Sequence, residues 1–101
     1  MTTTIRGENG KFIAVFEGRL DTPSSLQTQV DIKPLLDNAD KEIVLDCKDL
    51  EYISSSGLRI FLTLRKETAA KGGKVIIENI RPDIKKVFEM TGFYKLFEIR
   101  D

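Results

Sequence analysis

The chain has 101 residues, close to the modal size of a single domain, and we expect one domain over residues 1–101. Its 16 basic residues balance its 16 acidic residues, so no excess of positive charge indicates a nucleic-acid partner. The sequence contains no histidine. This excludes Ser-His-Asp and Cys-His nucleophile systems and removes the commonest transition-metal ligand, so we expect neither a metal nor another cofactor.

Two further features argue against a secreted or membrane-inserted protein. The single cysteine, Cys47, cannot form an internal disulfide and lies in an apolar strand pattern, where it is predicted to be a small core residue. Residues 1–6 contain no apolar signal-peptide core, and no run approaches the roughly 18 apolar residues needed to cross a bilayer. We therefore expect a cytoplasmic protein with no direct membrane insertion.

The first predicted elements are two antiparallel strands, over residues 2–6 and 11–18. Asn9-Gly10 between them is a strong hairpin signal, because both residues tolerate positive φ. The second strand is apolar on both alternating faces, which predicts an inner strand with one face against helices. Residues 18–21 then leave the sheet.

A helix is predicted to begin at the next turn. Asp21 or Thr22 before Pro23 fits an N-cap with proline at the first helical position, where its missing amide costs nothing. Pro34 lacks a hydrogen-bond donor, so it is expected to kink or split this helix. The apolar residues of the segment are predicted to form its buried stripe: Leu26, Val30, Leu35 and Leu36.

The central strand is predicted over residues 42–47, which are apolar and rich in β-branched side chains, with a loop over residues 48–50. Three consecutive serines, Ser54, Ser55 and Ser56, then precede an apolar helix. A serine at this place is an N-cap signal, since its oxygen can accept from an amide of the first turn. Those amides tolerate an anion, so a phosphate here would be accommodated while changing the local charge by about −1.5 to −2.

The helix after the serines is the longest predicted element and ends at Gly72-Gly73, where glycine can take the left-handed conformation. Its predicted buried stripe consists of four apolar residues: Leu58, Phe61, Leu62 and Ala69. Ile60 and Leu64 fall outside that stripe. An apolar pair in this position indicates either a partner surface or additional core packing.

The last predicted elements are a strand over residues 74–78, a helix that Pro82 opens and Gly92 ends, and a short final strand. The buried face of the helix is predicted to hold three apolar residues: Ile84, Val87 and Phe88. The order β-β-α-β-α-β-α-β predicts an α/β fold with a mixed, mostly parallel sheet and an N-terminal hairpin. Functional loops in such sheets lie beyond the carboxyl ends of parallel strands, where we expect the serine turn and the Asp21-Thr22 turn side by side.

Several short motifs occur in the order and at the spacing of a known family. Residues 18–21 read G-R-L-D, residues 43–46 read I-V-L-D and residues 54–58 read S-S-S-G-L. Residues 72–75 add G-G-K-V, and residues 80–93 begin with I-R-P and end with M-T-G-F. Over nearly the whole chain these motifs resemble the STAS domain, specifically the bacterial anti-sigma factor antagonists, which implies a STAS-like fold.

The resemblance implies a non-catalytic binding module that regulates transcription and is switched by phosphorylation. Ser55 corresponds to the family's phosphoacceptor, with Ser54 and Ser56 as alternatives, because Ser54 replaces the aspartate that usually precedes the acceptor. The unphosphorylated protein is expected to bind an anti-sigma factor serine kinase, phosphorylation to release it, and a metal-dependent serine phosphatase to reset it. The residues expected at the partner surface are Asp21, Thr22, Ser54, Ser56, Gly57, Leu58, Ile60 and Leu64.

Two other functions are compatible with the sequence. The same fold can serve as a non-switched adaptor in a transport or envelope complex, and Ser54 in place of aspartate favours this alternative. A small enzyme could use a serine of the turn as its nucleophile, but without histidine only a lysine or a carboxylate could activate it. The singled-out residues also have structural interpretations, namely capping for the serines and Asp21 and relief of the first helical turn for Gly57.

Overall fold

A computed structural model of the chain describes residues 1–100. Its strands and helices, in chain order, are β1 (Thr2–Glu8), β2 (Lys11–Leu20), α1 (Thr22–Asp31), α2 (Lys33–Leu36), β3 (Glu42–Ile53), α3 (Ser55–Lys71), β4 (Lys74–Glu78), α4 (Pro82–Met90) and β5 (Glu98–Arg100). A short 3₁₀ turn over Phe93–Leu96 joins α4 to β5. This succession confirms the predicted β-β-α-β-α-β-α-β order, with the first helix divided into two.

The strands form one five-stranded sheet in the order β1-β2-β3-β4-β5. β1 runs antiparallel to β2 through a tight turn in which Asn9 (φ 49°) and Gly10 (φ 77°) both have positive φ. From β2 onwards, each strand pairs in parallel with the next. The mixed, mostly parallel sheet with an N-terminal hairpin is confirmed, and the carboxyl ends of β2 and β3 lie at the same edge.

The start of α1 and its separation from α2 follow the sequence signals. The Asp21 carboxylate accepts from the Ser24 amide (3.0 Å), while the Ser24 hydroxyl accepts from the Asp21 amide (3.0 Å), which makes a capping box. The helix ends at Asp31, and Ile32 serves as the N-cap of α2. The predicted split at Pro34 is therefore confirmed.

The buried face of α1 differs from the prediction. Leu26 and Val30 are 70% and 65% exposed, whereas Ser25 and Thr28 are buried. The two buried hydroxyls donate to carbonyls of the preceding turn of their own helix, at 2.7 and 3.1 Å, so these small polar side chains are satisfied without water. The helix consequently presents its apolar pair to the outside.

β3 is longer than predicted. It continues to Ile53, so the predicted loop over residues 48–50 is wrong. Its register against β2 shifts twice, and each β-bulge places one extra residue in β3. Because of these bulges, Cys47, Leu50 and Ile53 face the core at a spacing of three residues, which a strand pattern of period two does not reveal.

α3 buries a different stripe from the predicted one: Gly57, Leu58, Ile60, Phe61, Leu64 and Thr68. Leu62 is only half-buried and Ala69 is exposed. Thr68 can lie in the interior because its hydroxyl donates to the Leu64 carbonyl (3.0 Å). Ile60 and Leu64 belong to the core, in agreement with the second of the two interpretations given for this pair, additional core packing.

A row of four phenylalanines connects the sheet to the helices: Phe16, Phe61, Phe88 and Phe97. Successive ring centroids are 5.4, 6.0 and 5.8 Å apart, in tilted or edge-on arrangements that aromatic pairs favour.

Cys47 lies in the same core. Burial raises the pKa of its thiol above the ordinary value of 9.0, and the nearby Asp46 carboxylate raises it further. The prediction of a core cysteine is confirmed. Within residues 1–100, no helix is long and apolar enough to cross a membrane.

Candidate functional site

The ends of β2 and β3 bring two turns together at one edge of the sheet. Leu20 and Ile53, the last residues of these strands, are register partners. The Ser54 amide donates to the Leu20 carbonyl (2.8 Å), which continues the strand pairing by one more hydrogen bond. Ser54 therefore lies beside Asp21, and the predicted adjacency of the serine turn and the Asp21-Thr22 turn is confirmed.

Ser54 is the N-cap of α3. Its backbone is extended (φ −90°, ψ 174°), its Oγ accepts from the Gly57 amide (3.2 Å), and its carbonyl accepts from the Leu58 amide (2.9 Å). An aspartate at this position would accept the same hydrogen bond and add a negative charge. Ser54 therefore preserves the cap and omits the charge.

Ser55 and Ser56, the first two residues of α3, have different surroundings. Ser55 is exposed, whereas Ser56 is half-buried. Within the described residues, neither hydroxyl makes a hydrogen bond, and no carboxylate or amine is hydrogen-bonded to a hydroxyl of the turn. Ser55 is the most open hydroxyl of the three, because Ser54 is used by the cap and Ser56 is half-buried.

Gly57 is buried where the first turn of α3 crosses the ends of β2 and β3. A Cβ atom on this residue would lie 2.7 Å from Leu20 Cγ and 2.8 Å from Ile53 Cγ1, far inside normal carbon–carbon contact. Glycine at this position therefore determines how closely α3 approaches the sheet. Gly57 faces the chain's own core in this structure, and its contact with a partner stays a prediction.

Asp21 is half-buried and its carboxylate is held by the start of α1. The Ser24 amide and hydroxyl lower the pKa of Asp21 below its ordinary value of 3.8, and the positive charge of Arg19 lowers it further. Asp21 therefore carries a negative charge next to Ser54 at neutral pH. Its capping role is confirmed, while contact of Asp21 and the exposed Thr22 with a partner stays a prediction.

Three apolar residues predicted at the partner surface are also buried. Leu58, Ile60 and Leu64 are 4%, 2% and 0% exposed. They lie on the inward seam of α3 and belong to the core cluster. The structure places these side chains inside the fold, and their contact with a partner stays a prediction. Their role is to hold the helix that carries the serine turn.

A groove of about 350 Å³ separates α3 from α1 and α2. Its lining residues are Gln29, Ile32, Leu36, Arg59, Ile60 and Thr63. Leu26 and Val30 lie within one turn of Gln29 on α1, and Arg59 lies on α3 four residues after Ser55. Leu26, Gln29, Val30 and Arg59 are exposed here, and none of the four was predicted at the partner surface. The exposure of Leu26 and Val30 could have been inferred from the small hydroxyl side chains of α1, because such side chains can occupy the interior and leave their apolar neighbours facing outward.

The strands that lead into the two turns carry an exposed cation–aromatic pair. Arg19 and Tyr52 are register partners, and the guanidinium carbon lies 4.3 Å from the ring centroid. Tyr52 is 41% exposed. The stack places the positive charge of Arg19 over the tyrosine ring, on the strands that precede the serine turn.

Comparison with known proteins identifies the family. The family model of the STAS domain matches residues 2–101. BtrV of Bordetella bronchiseptica is 29% identical over 99 residues, which cover 98% of this chain and 85% of BtrV. The anti-sigma-B factor antagonist of Bacillus subtilis is 30% identical over 83 residues, which cover 81% of this chain and 74% of that protein.

A solved structure shows the same fold. The anti-sigma factor antagonist SpoIIAA matches with a TM-score of 0.75 in its unphosphorylated form, over 99% of this chain and 88% of SpoIIAA. The Bacillus SpoIIAA in its phosphorylated form matches with a TM-score of 0.74, over 99% and 92%, and both are 20% identical to this chain. From the family model and its relatives, the chain belongs to the STAS domain family, as an anti-sigma factor antagonist.

Proposed function

We propose that the chain is a partner-switching anti-sigma factor antagonist controlled at Ser55. With the Ser55 hydroxyl bare, it binds an anti-sigma factor that is also a serine kinase, and the sigma factor is freed to direct transcription. The kinase transfers the terminal phosphoryl group of ATP to Ser55 Oγ, the hydroxyl proton leaves, and ADP is released. A metal-dependent serine phosphatase hydrolyses the phosphoester with water and restores serine and inorganic phosphate.

The observation that carries this proposal is that different serines of the turn cap the helix and face solvent. Ser54 accepts the capping hydrogen bond from Gly57, whereas Ser55 is exposed and its hydroxyl has no hydrogen bond within the described residues. A kinase can therefore reach Ser55 while α3 stays capped. The names of relatives support the wider setting, since one is an anti-sigma-B factor antagonist and SpoIIAA has been solved in a phosphorylated form.

Release of the partner has a direct electrostatic cause in this proposal. Phosphorylation adds a charge of about −1.5 to −2, which has to be desolvated in a closely packed interface. Asp21 follows Leu20 at the same edge of the sheet as Ser54, and its ionised carboxylate has the same sign as the phosphate. The docking surface in this account comprises the serine turn, Thr22, and the exposed apolar residues of α1, Leu26 and Val30.

In this proposal, the chain acts in the cytoplasm as a binding module. It performs no catalysis of its own, requires no cofactor, and contacts neither nucleic acid nor membrane directly. The rival proposal is a constitutive adaptor of the same fold, which the missing acidic residue at position 54 favours. Ser54 keeps the capping hydrogen bond, so the local structure that a switch requires is preserved.

The test is phosphorylation of the purified chain by the anti-sigma serine kinase of the same organism, with radiolabelled ATP. We expect wild type to be labelled and Ser55→Ala to remain unlabelled and bound to the kinase in the presence of ATP. Ser54→Asn and Ser56→Ala are the matched controls, because asparagine retains the N-cap while removing the hydroxyl. Both controls should be labelled like wild type.

Several outcomes would overturn parts of the proposal. Label retained in Ser55→Ala but lost in Ser56→Ala would move the acceptor to Ser56, and the corresponding result for Ser54→Asn would move it to Ser54. Stable kinase binding without any labelling of wild type would establish the adaptor instead. In addition, Ser55→Asp should bind the kinase more weakly than wild type in a titration, with nearly unchanged thermal stability.

A further inference from the structure

Arg59 is an uncompensated cation next to the proposed phosphoacceptor. It is exposed on α3, four residues after Ser55, and its side chain makes no ion pair or hydrogen bond within the described residues. The positions one turn away on the same helix are Ser55, Ser56, Leu62 and Thr63, none of them acidic. The first turn of α3 contains no acidic residue either. Arg59 therefore has no negative neighbour on its own helix while the serines are unmodified.

The spacing of Ser55 and Arg59 is the one that brings two helical side chains into contact. Residues four apart lie on the same face, with Cβ atoms about 5–6 Å apart. An acid placed before a base in the chain is the more favourable orientation of such a pair. The guanidinium presents parallel N–H donors that match a phosphate, and charge-assisted hydrogen bonds of this kind are roughly twice as strong as neutral ones.

The other cations of this region are engaged elsewhere or lie further along the helix. Arg19 is stacked on Tyr52, at 4.3 Å from the ring centroid. Arg65 donates from its Nε to the Leu96 carbonyl (2.5 Å). Lys66 is exposed on α3, but it lies three turns beyond Ser55. Arg59 is thus the cation best placed to meet a charge that appears on Ser55.

We propose that Arg59 is the intramolecular partner of the phosphate on Ser55, and that phosphorylation draws its guanidinium into a bidentate ion pair on the surface of α3. The inference rests on the proposed function for the identity of the modified serine. Phosphorylation then does more than add negative charge, since it also engages a cation that lines the groove between α1 and α3. Phosphorylation would therefore change the net charge at this part of α3 from positive to negative and would also reposition the Arg59 guanidinium.

The test uses the chain with phosphoserine incorporated at position 55 during translation, so it requires no kinase. A ³¹P NMR titration measures the second pKa of the phosphate, which is ordinarily about 6. A neighbouring cation favours the dianion and lowers this pKa. We expect the pKa to be lower in the wild-type background than in Arg59→Gln by on the order of half a unit, as a strengthened helical ion pair gives.

Lys66→Gln is the matched control, because it removes one exposed positive charge from the same helix without touching the pair. It should leave the phosphate pKa within about 0.1 unit of wild type, since exposed charges more distant than a Debye length of about 8–10 Å are largely screened. Arg59→Lys should restore part of the shift. Equal pKa values in wild type and Arg59→Gln would overturn the inference. Failure of the kinase to label Ser55 would instead overturn the proposed function, so the two results are distinguishable.

Discussion

Replacing Gly57 by alanine sets two known effects against each other. Alanine is more favourable than glycine inside a helix by up to about 1 kcal/mol, so helix propensity alone predicts a more stable protein. In this structure, however, the new methyl group would lie 2.7 Å from Leu20 Cγ and 2.8 Å from Ile53 Cγ1. Carbon atoms normally approach to about 3.5–4.0 Å, so the first turn of α3 would have to move outward by about 1 Å.

The geometry decides the sign of the change. Overpacking of a filled core costs about 1–3 kcal/mol, which exceeds the propensity gain of about 1 kcal/mol. We therefore expect Gly57→Ala to lower the free energy of unfolding by about 1 kcal/mol. For a domain of 101 residues this corresponds to a fall in Tm of about 4 °C.

A double-mutant cycle identifies the cause. Urea unfolding at constant pH is measured for wild type, Gly57→Ala, Leu20→Ala and the double mutant. Because Leu20→Ala removes the closest contact, alanine at position 57 should be less harmful in that background by at least about 0.5 kcal/mol. Leu45→Ala is the control, since Leu45 is equally buried but is not among the atoms nearest to Gly57. Its effect should add to that of Gly57→Ala within about 0.5 kcal/mol.

Two results would refute this reasoning. A more stable Gly57→Ala protein would show that helix propensity outweighs the contact with Leu20 and Ile53. An unchanged cost of Gly57→Ala in the Leu20→Ala background would show that the destabilisation has another origin. Either result would also remove the argument that this glycine sets the distance between the serine turn and the sheet.

Two further predictions concern α1. The folded-state pKa of Asp21 lies below its ordinary value of 3.8, so its contribution to stability is present above about pH 4 and is lost as the pH falls through the folded pKa. Asp21→Asn should therefore be less stable than wild type in urea at pH 7, by an amount that shrinks in acid, and a deficit independent of pH would contradict this. Leu26→Ser should unfold within about 0.5 kcal/mol of wild type because Leu26 is 70% exposed, yet bind the kinase about tenfold more weakly. Met90→Ser on α4, where the side chain is 86% exposed, is the control for binding, and an equal loss in both variants would exclude a specific role for Leu26.

The parts of the fold that were predictable depend on local backbone chemistry. Asn9-Gly10 imposes a hairpin because both residues adopt positive φ. Asp21 followed by Pro23 starts α1 with a capped first turn, and Pro34 divides the segment because it lacks an amide proton. Each of these signals acts within a few residues of its own position, so the sequence contains all the information that is needed.

The parts that were not predictable depend on which polar side chains are satisfied inside the fold and on contacts between distant segments. Thr28 and Thr68 lie in the interior because carbonyls of their own helices satisfy their hydroxyls, and this shifts the buried faces of α1 and α3. The bulges in β3 arise from its pairing with β2, so the buried spacing of three residues after Cys47 has no local signal. At the site, sheet topology predicted that the two turns meet, but only the geometry shows that Ser55 is the most open hydroxyl.

The hydrogen bond from the Gly57 amide to Ser54 Oγ has a consequence for how often such a protein can be reused. The atom that caps the helix, Ser54 Oγ, and the atom proposed for modification, Ser55 Oγ, belong to different side chains. Under the proposed function, a phosphate would be added to Ser55 and removed again while the hydrogen bond that caps α3 stays in place. A regulator of this design would keep the start of its helix capped in both states, so the proposed switch would not require α3 to refold between signals.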